Sequence, residues 1–274
     1  MSVPPESSLT DAARLYKQAI GGASGRGRHV DGDKTVELLH KAAALGSREA
    51  VTALGSFFDY GVGVRRDPAK AIHYYRQAAQ LGDPVGQYNL ALCYKQGLGT
   101  RANNKEAFKW LQLAASARLP EALLEIGRSY RDGRGVKADR SKSFRCFSQA
   151  AKSGLSEAAF AIARSYRDGV GTRRNARAAF QWYRRAAHQG MADGQYNVAY
   201  CYERGIGTKV SARQAQLWYR AAARHGSSDA YLGLARLAAR SDAPKRAVHW
   251  LKKAAESPDP HVSEQAKDYL RGFA

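Results

Sequence analysis

The chain has 274 residues, 44% hydrophobic and 25% charged, with 44 Lys and Arg against 24 Asp and Glu for a formal charge of +20. These proportions are ordinary for a soluble folded protein. It contains no uninterrupted apolar run of the ~18 residues that a membrane span requires. The charge imbalance bears on partners: it would attract an acidic protein, a nucleic acid or an anionic membrane, and a uniformly basic surface would give the same total.

Residues 1–8 are expected to be disordered. Residues 1–13, with Pro4, Pro5, Glu6 and Asp11, have no apolar stretch of the kind a secretory signal needs, so the expected compartment is cytoplasmic. Residues 9–46 read as a divergent leading helix pair, with one helix near Leu9–Ile20 and one near Lys34–Leu45. A flexible Gly/Arg loop over 21–32 joins them.

From residue 47 the chain repeats itself. Ala-Ala pairs fall at 42, 78, 114, 150, 186 and 222, and Gly-x-Gly turns begin at Gly61, Gly97, Gly133, Gly169 and Gly205, always 36 residues apart. An aromatic residue stands three before each first glycine, as Phe58, Tyr94, Tyr130, Tyr166 and Tyr202. Five units follow: 47–82, 83–118, 119–154, 155–190 and 191–226. A fixed period of this length marks a stacked array of supersecondary units.

The unit 83–118 predicts two helices. Asp83 caps the first, with Pro84 just inside it. Leu90 and Tyr94 share one face, four residues apart. Gly97 stops the helix as a residue tolerant of positive φ. Asn103 caps the second helix, which carries Ala107, Phe108, Leu111, Ala114 and Ala115 on its apolar side. One such pair cannot bury its apolar face alone, whereas stacked neighbours can. Residues 227–258 form a short degenerate repeat, four residues short and without the Gly-x-Gly turn, still marked by Trp250 and Ala254-Ala255. Residues 259–274 read as a capping helix centred on Val262–Leu270.

These residues closely resemble the Sel-one-like repeat (SLR) family, a branch of the tetratricopeptide superfamily. Ala50, Leu54, Gly55, Phe58, Gly61, Gly63, Val64, Asp67, Ala71, Tyr74, Tyr75, Ala78, Ala79 and Gly82 follow the family pattern, and its Trp-Tyr pair appears at 182–183 and 218–219. The resemblance implies an all-α, right-handed α-solenoid of 36-residue helix–turn–helix repeats. Some relatives staple each repeat with paired cysteines. This chain does not: Cys93, Cys146 and Cys201 are too widely spaced and odd in number, and read as reduced thiols.

The resemblance further implies a concave ligand face lined by the first helix of each pair. Carrying that geometry onto this chain gives Tyr88, Asn89, Leu92 and Lys95 in the second unit, and Arg128 and Arg131 in the third. The fourth contributes Phe160, Arg164 and Arg167, and the fifth Tyr196, Asn197, Tyr200 and Arg204. The string Arg-Ser-Tyr-Arg-Asp-Gly occurs twice, at 128–133 and 164–169, and arginine forks suit carboxylates and phosphates. Asn89 and Asn197 are placed to bond an extended partner backbone. Two other readings stay open: Asp132 and Asp168 can pair with the arginines beside them, and Tyr88, Phe160 and Tyr196 fall into the inter-repeat core if the register shifts by one residue.

No catalytic constellation emerges. The seven histidines match no HExxH spacing, no GxSxG elbow is present, and the Gly-rich turns lack the span and the Lys-Ser/Thr ending of a phosphate loop. Neither a metal nor a cofactor is expected, nor an enzyme. The expected function is a non-catalytic protein-interaction adaptor or scaffold, a regulatory role included, that binds an acidic peptide or protein in the groove. Non-specific nucleic-acid binding by a basic solenoid is the alternative, favoured by charge but by no recognised nucleic-acid module.

Overall fold

The computed structural model describes residues 6–23 and 32–272. Residues 1–5 of the expected disordered N-terminus, 24–31 of the expected loop, and 273–274 of the expected cap lie outside it. Every regular element among the described residues is an α-helix.

The helices fall into two compact units, divided between Asp139 and Arg140. The first holds α1 (Glu6–Ala23), α2 (Gly32–Ala44), α3 (Arg48–Tyr60), α4 (Pro68–Gln80), α5 (Pro84–Gln96), α6 (Asn104–Ser116) and α7 (Pro120–Asp132). The second holds α8 (Arg140–Lys152), α9 (Ser156–Asp168), α10 (Ala176–His188), α11 (Ala192–Arg204), α12 (Ala212–Arg224), α13 (Asp229–Arg240), α14 (Pro244–Ala255) and α15 (Pro260–Arg271). Within each unit every helix packs on the next in sequence. The helix α1 covers residues 6–8 and 21–23, which sequence reading gave to a disordered start and a loop. Helix ends are where apolar periodicity says least.

The repeating turn is built from three local devices. The first helix of a pair ends on a glycine at positive φ, such as Gly97 at 75°, whose N–H donates to the Cys93 carbonyl. The residue that caps the second helix turns its own N–H back to the aromatic carbonyl: Asn103 to Tyr94 at 2.7 Å, Asn175 to Tyr166 at 2.9 Å, Ser211 to Tyr202 at 2.9 Å. Its side chain accepts from the first turn, as Asn175 does from the Ala178 N–H at 2.9 Å. The second glycine lets the turn pass over the preceding pair. A Cβ on Gly171 would lie 2.1 Å from the Arg140 carbonyl oxygen, so no side chain fits there.

Stacking then buries the small and aromatic residues of the pattern. Ala78, Ala114, Ala150, Ala186 and Ala222 are fully buried, because only a methyl fits where neighbouring helices approach closely. In three second helices, α6, α8 and α10, a phenylalanine meets the aromatic of the next first helix edge-on. These pairs are Phe108–Tyr130 at 5.4 Å, Phe144–Tyr166 at 5.3 Å and Phe180–Tyr202 at 5.2 Å, the geometry that ring quadrupoles favour. At the C-terminal end, α15 lays Val262 and Ala266 against Leu251 and Ala254.

Candidate functional site

Three second-helix tyrosines, Tyr75, Tyr183 and Tyr219, are almost wholly buried and point their hydroxyls toward the first helix of their own pair. Their surroundings define the site in each unit.

In the first unit, Tyr75 donates to Ser56 Oγ at 3.2 Å. Beside it lies a hollow of about 330 Å³ lined by Asp59, Arg66, Asn89, Leu92 and Cys93. Arg66 Nε donates to the Asp59 carbonyl at 2.7 Å, which fastens the turn to the end of α3. Two of the expected partner-binding cations of this unit are committed to a buried acid. Lys95 Nζ lies 2.6 Å from Glu125 Oε2, and Arg128 bonds the other carboxylate oxygen. Burial alone would raise the Glu125 carboxyl, but the hydrogen bonds and charges of Lys95 and Arg128 outweigh it and hold it below the usual range. Arg131 forks onto Asp132 at 2.7 and 3.1 Å in an exposed pair. Tyr88 is half-buried.

In the second unit, the same hollow recurs 108 residues on, enlarged to about 650 Å³ and lined by Arg167, Arg174, Asn197, Tyr200 and Cys201, with Tyr183 and Tyr196 in its wall. Arg167 stands where the first hollow has Asp59. Arg167 forks onto Asp168 at 2.7 and 3.0 Å, and Arg174 Nε bonds the Arg167 carbonyl at 3.0 Å. Arg164, Tyr200 and Arg204 face solvent, with the Arg204 guanidinium 5.8 Å from the centre of the Tyr200 ring. The Asn197 amide donates to the Asp193 carbonyl of its own helix at 2.7 Å. Phe160 and Tyr196 are half-buried and lean on the second-helix rings of Tyr183 and Tyr219, each at 5.5 Å between centroids. They are at once packing residues and wall residues.

One pair further on, Tyr219 donates to Glu203 Oε2 at 2.8 Å. Arg236 forks onto the same carboxylate at 2.7 and 2.8 Å, and Arg240 reaches it at 3.0 Å. Burial opposes ionisation of Glu203, yet the Arg236 and Tyr219 bonds and the arginine charges hold its carboxyl below the usual range. Tyr183 has no such acceptor among the described residues: its hydroxyl is buried, and Arg167 beside it offers donors only. Burial pushes it up to about 12, so it keeps its proton at neutral pH. Sequence reading placed Tyr183 and Tyr219 only within the repeat pattern, and Glu203 on the ligand-facing register without a partner. The signal was available in the residue sixteen before each tyrosine, which is Asp59, Arg167 or Glu203.

The cysteines are free thiols, and burial pushes Cys93 and Cys201 up to about 11. Among the described residues no cluster of His, Cys, Asp and Glu is arranged to hold a metal ion. No helix among them is long and apolar enough to cross a membrane.

This arrangement is that of an all-α repeat solenoid. Seven stretches match the Sel1 repeat, at residues 22–47, 48–83, 84–118, 120–155, 156–191, 192–227 and 230–259, so the chain belongs to the Sel1 repeat family. Among solved structures it is similar to a protective antigen of uropathogenic Escherichia coli strains that displays an SLR fold. Identity is 28% and the TM-score 0.85, over 97% of this chain and 57% of that one. The present chain thus spans little more than half the length of that antigen. A Sel1 repeat protein from Oxalobacter formigenes is 26% identical with a TM-score of 0.75, over 97% of this chain and all of that one. An immunity protein from Pseudomonas aeruginosa shares the fold at 20% identity and a TM-score of 0.53, over 82% of this chain and 84% of that one. No curated protein matches the chain. Sel1 repeat proteins generally mediate protein–protein interaction on a fold that is generally a non-catalytic scaffold.

Proposed function

We propose that this protein is a non-catalytic interaction scaffold whose first helices receive an acidic peptide or protein, with the second unit as the principal contact. The observation that carries this reading is the free side of α9 and α11. Arg164, Arg167 and Arg204 all reach solvent there, beside the exposed ring of Tyr200. Arginine and tyrosine are among the residue types enriched at the hot spots of protein interfaces, and guanidinium forks recognise carboxylates in a fixed geometry. The family supports a protein as the class of partner, and the charge of +20 supports an acidic one.

In the first unit the reading rests on Asn89, Leu92 and Arg131. Lys95 and Arg128 act there by holding Glu125, and reach a partner only by giving up that acid.

The test is affinity purification at moderate salt followed by mass spectrometry, comparing wild type with Arg164→Glu/Arg167→Glu. Acidic proteins retained by wild type and lost by the variant are expected. The same set retained by both would overturn the assignment of this face.

A further inference from the structure

Tyr183 is the buried group that the fold leaves incomplete, and its two siblings show what is missing. Tyr75 and Tyr219 each give their proton to an oxygen on the first helix of their pair, from Ser56 and Glu203. The residues in register with those two positions, on α9, are Arg164 and Arg167. A guanidinium has donors and no acceptor. Tyr183 therefore faces Arg167 and Arg164, with Asp168 and Cys201 also near, and its proton is taken by none of them, at a position only 1% exposed.

The hydroxyl itself is covered, but its residue borders an open hollow. Tyr183 and Arg167 line the same hollow of about 650 Å³, with Arg174 and Asn197 on its other sides. Arg164 faces solvent and makes no ion pair among the described residues. Arg167 is held by Asp168 in a pair that leaves its side chain 47% exposed, a weak tether that an entering anion can exchange. In the first unit Asp59 stands where this hollow has Arg167, and Tyr75 donates to Ser56, where α9 has Arg164. The same register thus carries one tyrosine with its acceptor built in and one without.

We infer that the hollow between α9, α10 and α11 is a carboxylate-binding subsite. In it one oxygen of the partner accepts the Tyr183 proton and the other is forked by Arg164 or Arg167. This rests on the acidic-partner reading above and specifies which group of the partner is held, and where. A carboxylate fits better than a neutral amide, because the charged residues lining the hollow, Arg167 and Arg174, are both cations and the Tyr183 hydroxyl gives its proton to no neighbour.

The carboxylate has two sources, an acidic side chain or a chain terminus, and two probes separate them. One is a hexaglutamate peptide blocked at both ends, and the other a hexaglutamine peptide with a free C-terminus. Binding is read by fluorescence anisotropy and by NMR of full-length protein carrying ¹³C at tyrosine Cε, with Tyr183→Phe assigning the Tyr183 signal. The expected result is that at least one probe binds and moves the Tyr183 signal, while Tyr219, already bonded to Glu203, stays in place. Tyr183→Phe should weaken that probe about tenfold, the worth of one hydrogen bond to a charged acceptor. Arg164→Glu/Arg167→Glu should abolish it. Binding that survives Tyr183→Phe unchanged, or leaves the Tyr183 signal unmoved, but is lost on charge reversal overturns the subsite and leaves the arginine face standing. Binding of neither probe, or binding indifferent to every variant, removes both.

Discussion

Replacing each buried tyrosine by phenylalanine deletes one oxygen and leaves ring and packing intact, so the three variants isolate the worth of one hydroxyl in three settings. Tyr219 donates to an ionised carboxylate at 2.8 Å, a bond worth about 1.5–3 kcal/mol. Glu203 keeps Arg236 and Arg240 after the change, so the lower part of that range applies, and Tyr219→Phe should cost about 2 kcal/mol. Tyr75 donates to a neutral hydroxyl at 3.2 Å, and its loss should cost about 0.5–1 kcal/mol. Tyr183 gives its proton to no acceptor and bears the desolvation penalty of that unmade bond, so Tyr183→Phe should stabilise by about 1 kcal/mol. The assay is guanidinium denaturation followed by far-UV circular dichroism, with hydrogen exchange locating the change, since repeat arrays need not unfold in one step. Expected is a lowered midpoint with faster exchange around α11–α13 for Tyr219→Phe, and a raised midpoint for Tyr183→Phe. Equal losses from all three variants would refute the claim that Tyr183 lacks an acceptor.

Other consequences follow from the same contacts. Glu203→Gln keeps shape but strands Arg236 and Arg240 beside a neutral amide, and should cost about 2–3 kcal/mol in chemical denaturation. Glu125 and Glu203 are both held below the usual carboxylate range, so the unfolded chain binds protons more readily than the native one. Their contribution is complete above the unfolded carboxylate pKa of about 4.3 and is lost as pH falls through the lower native values. Denaturation midpoints should therefore drop below about pH 5, and less steeply in Glu125→Gln/Glu203→Gln. Gly171→Ala places a methyl on a backbone oxygen and should cost more than about 3 kcal/mol by thermal melting. Gly190→Ala has similar positive φ but open space, and should cost only about 1 kcal/mol of backbone strain. Cys93 and Cys201, pushed up to about 11, should resist iodoacetamide at pH 8 in the native protein and react at once after unfolding, as read by mass spectrometry.

How much of this was written in the sequence depends on whether a feature repeats. The caps at Asp83 and Asn103 and the stop at Gly97 follow from local chemistry that recurs every 36 residues, and they were legible. The partner-facing residues were less so, because a lone sequence does not say which cations are spoken for. Lys95 and Arg128 look like free surface charge in the string, yet both are drawn to Glu125, a glutamate 5% exposed that the pattern places on the ligand-facing side. Asn197 likewise spends its amide on its own helix. These pairings cross from one repeat to the next or turn back within a helix, and periodicity is blind to both. Tyr183 is the opposite case: it matches the pattern fully, and only its missing acceptor sets it apart.

The position sixteen before the buried tyrosine lets stability and binding be set against each other. Arg167→Glu installs there the residue that Tyr219 already uses, and Tyr183 gains an ionised acceptor. The variant gives up an exposed Arg167–Asp168 pair worth at most about 1 kcal/mol. It gains a buried bond of about 1.5–3 kcal/mol, less the cost of drawing a carboxylate inward. Arg164, one turn back on α9, and Arg204, in register with the Arg240 that serves Glu203, are cations available to offset that cost. The denaturation midpoint should therefore rise, or hold, despite the loss of two units of positive charge beside Asp168. Acidic-peptide binding should fall in the same protein, because the incoming carboxylate now meets one already seated. A fold more stable with glutamate at 167 than with arginine has kept arginine against its own stability, the trade expected of a residue retained for what it binds. A clear loss of stability, with peptide binding unchanged, would instead make Arg167 a structural residue and leave Tyr183 without a functional reason for its vacancy.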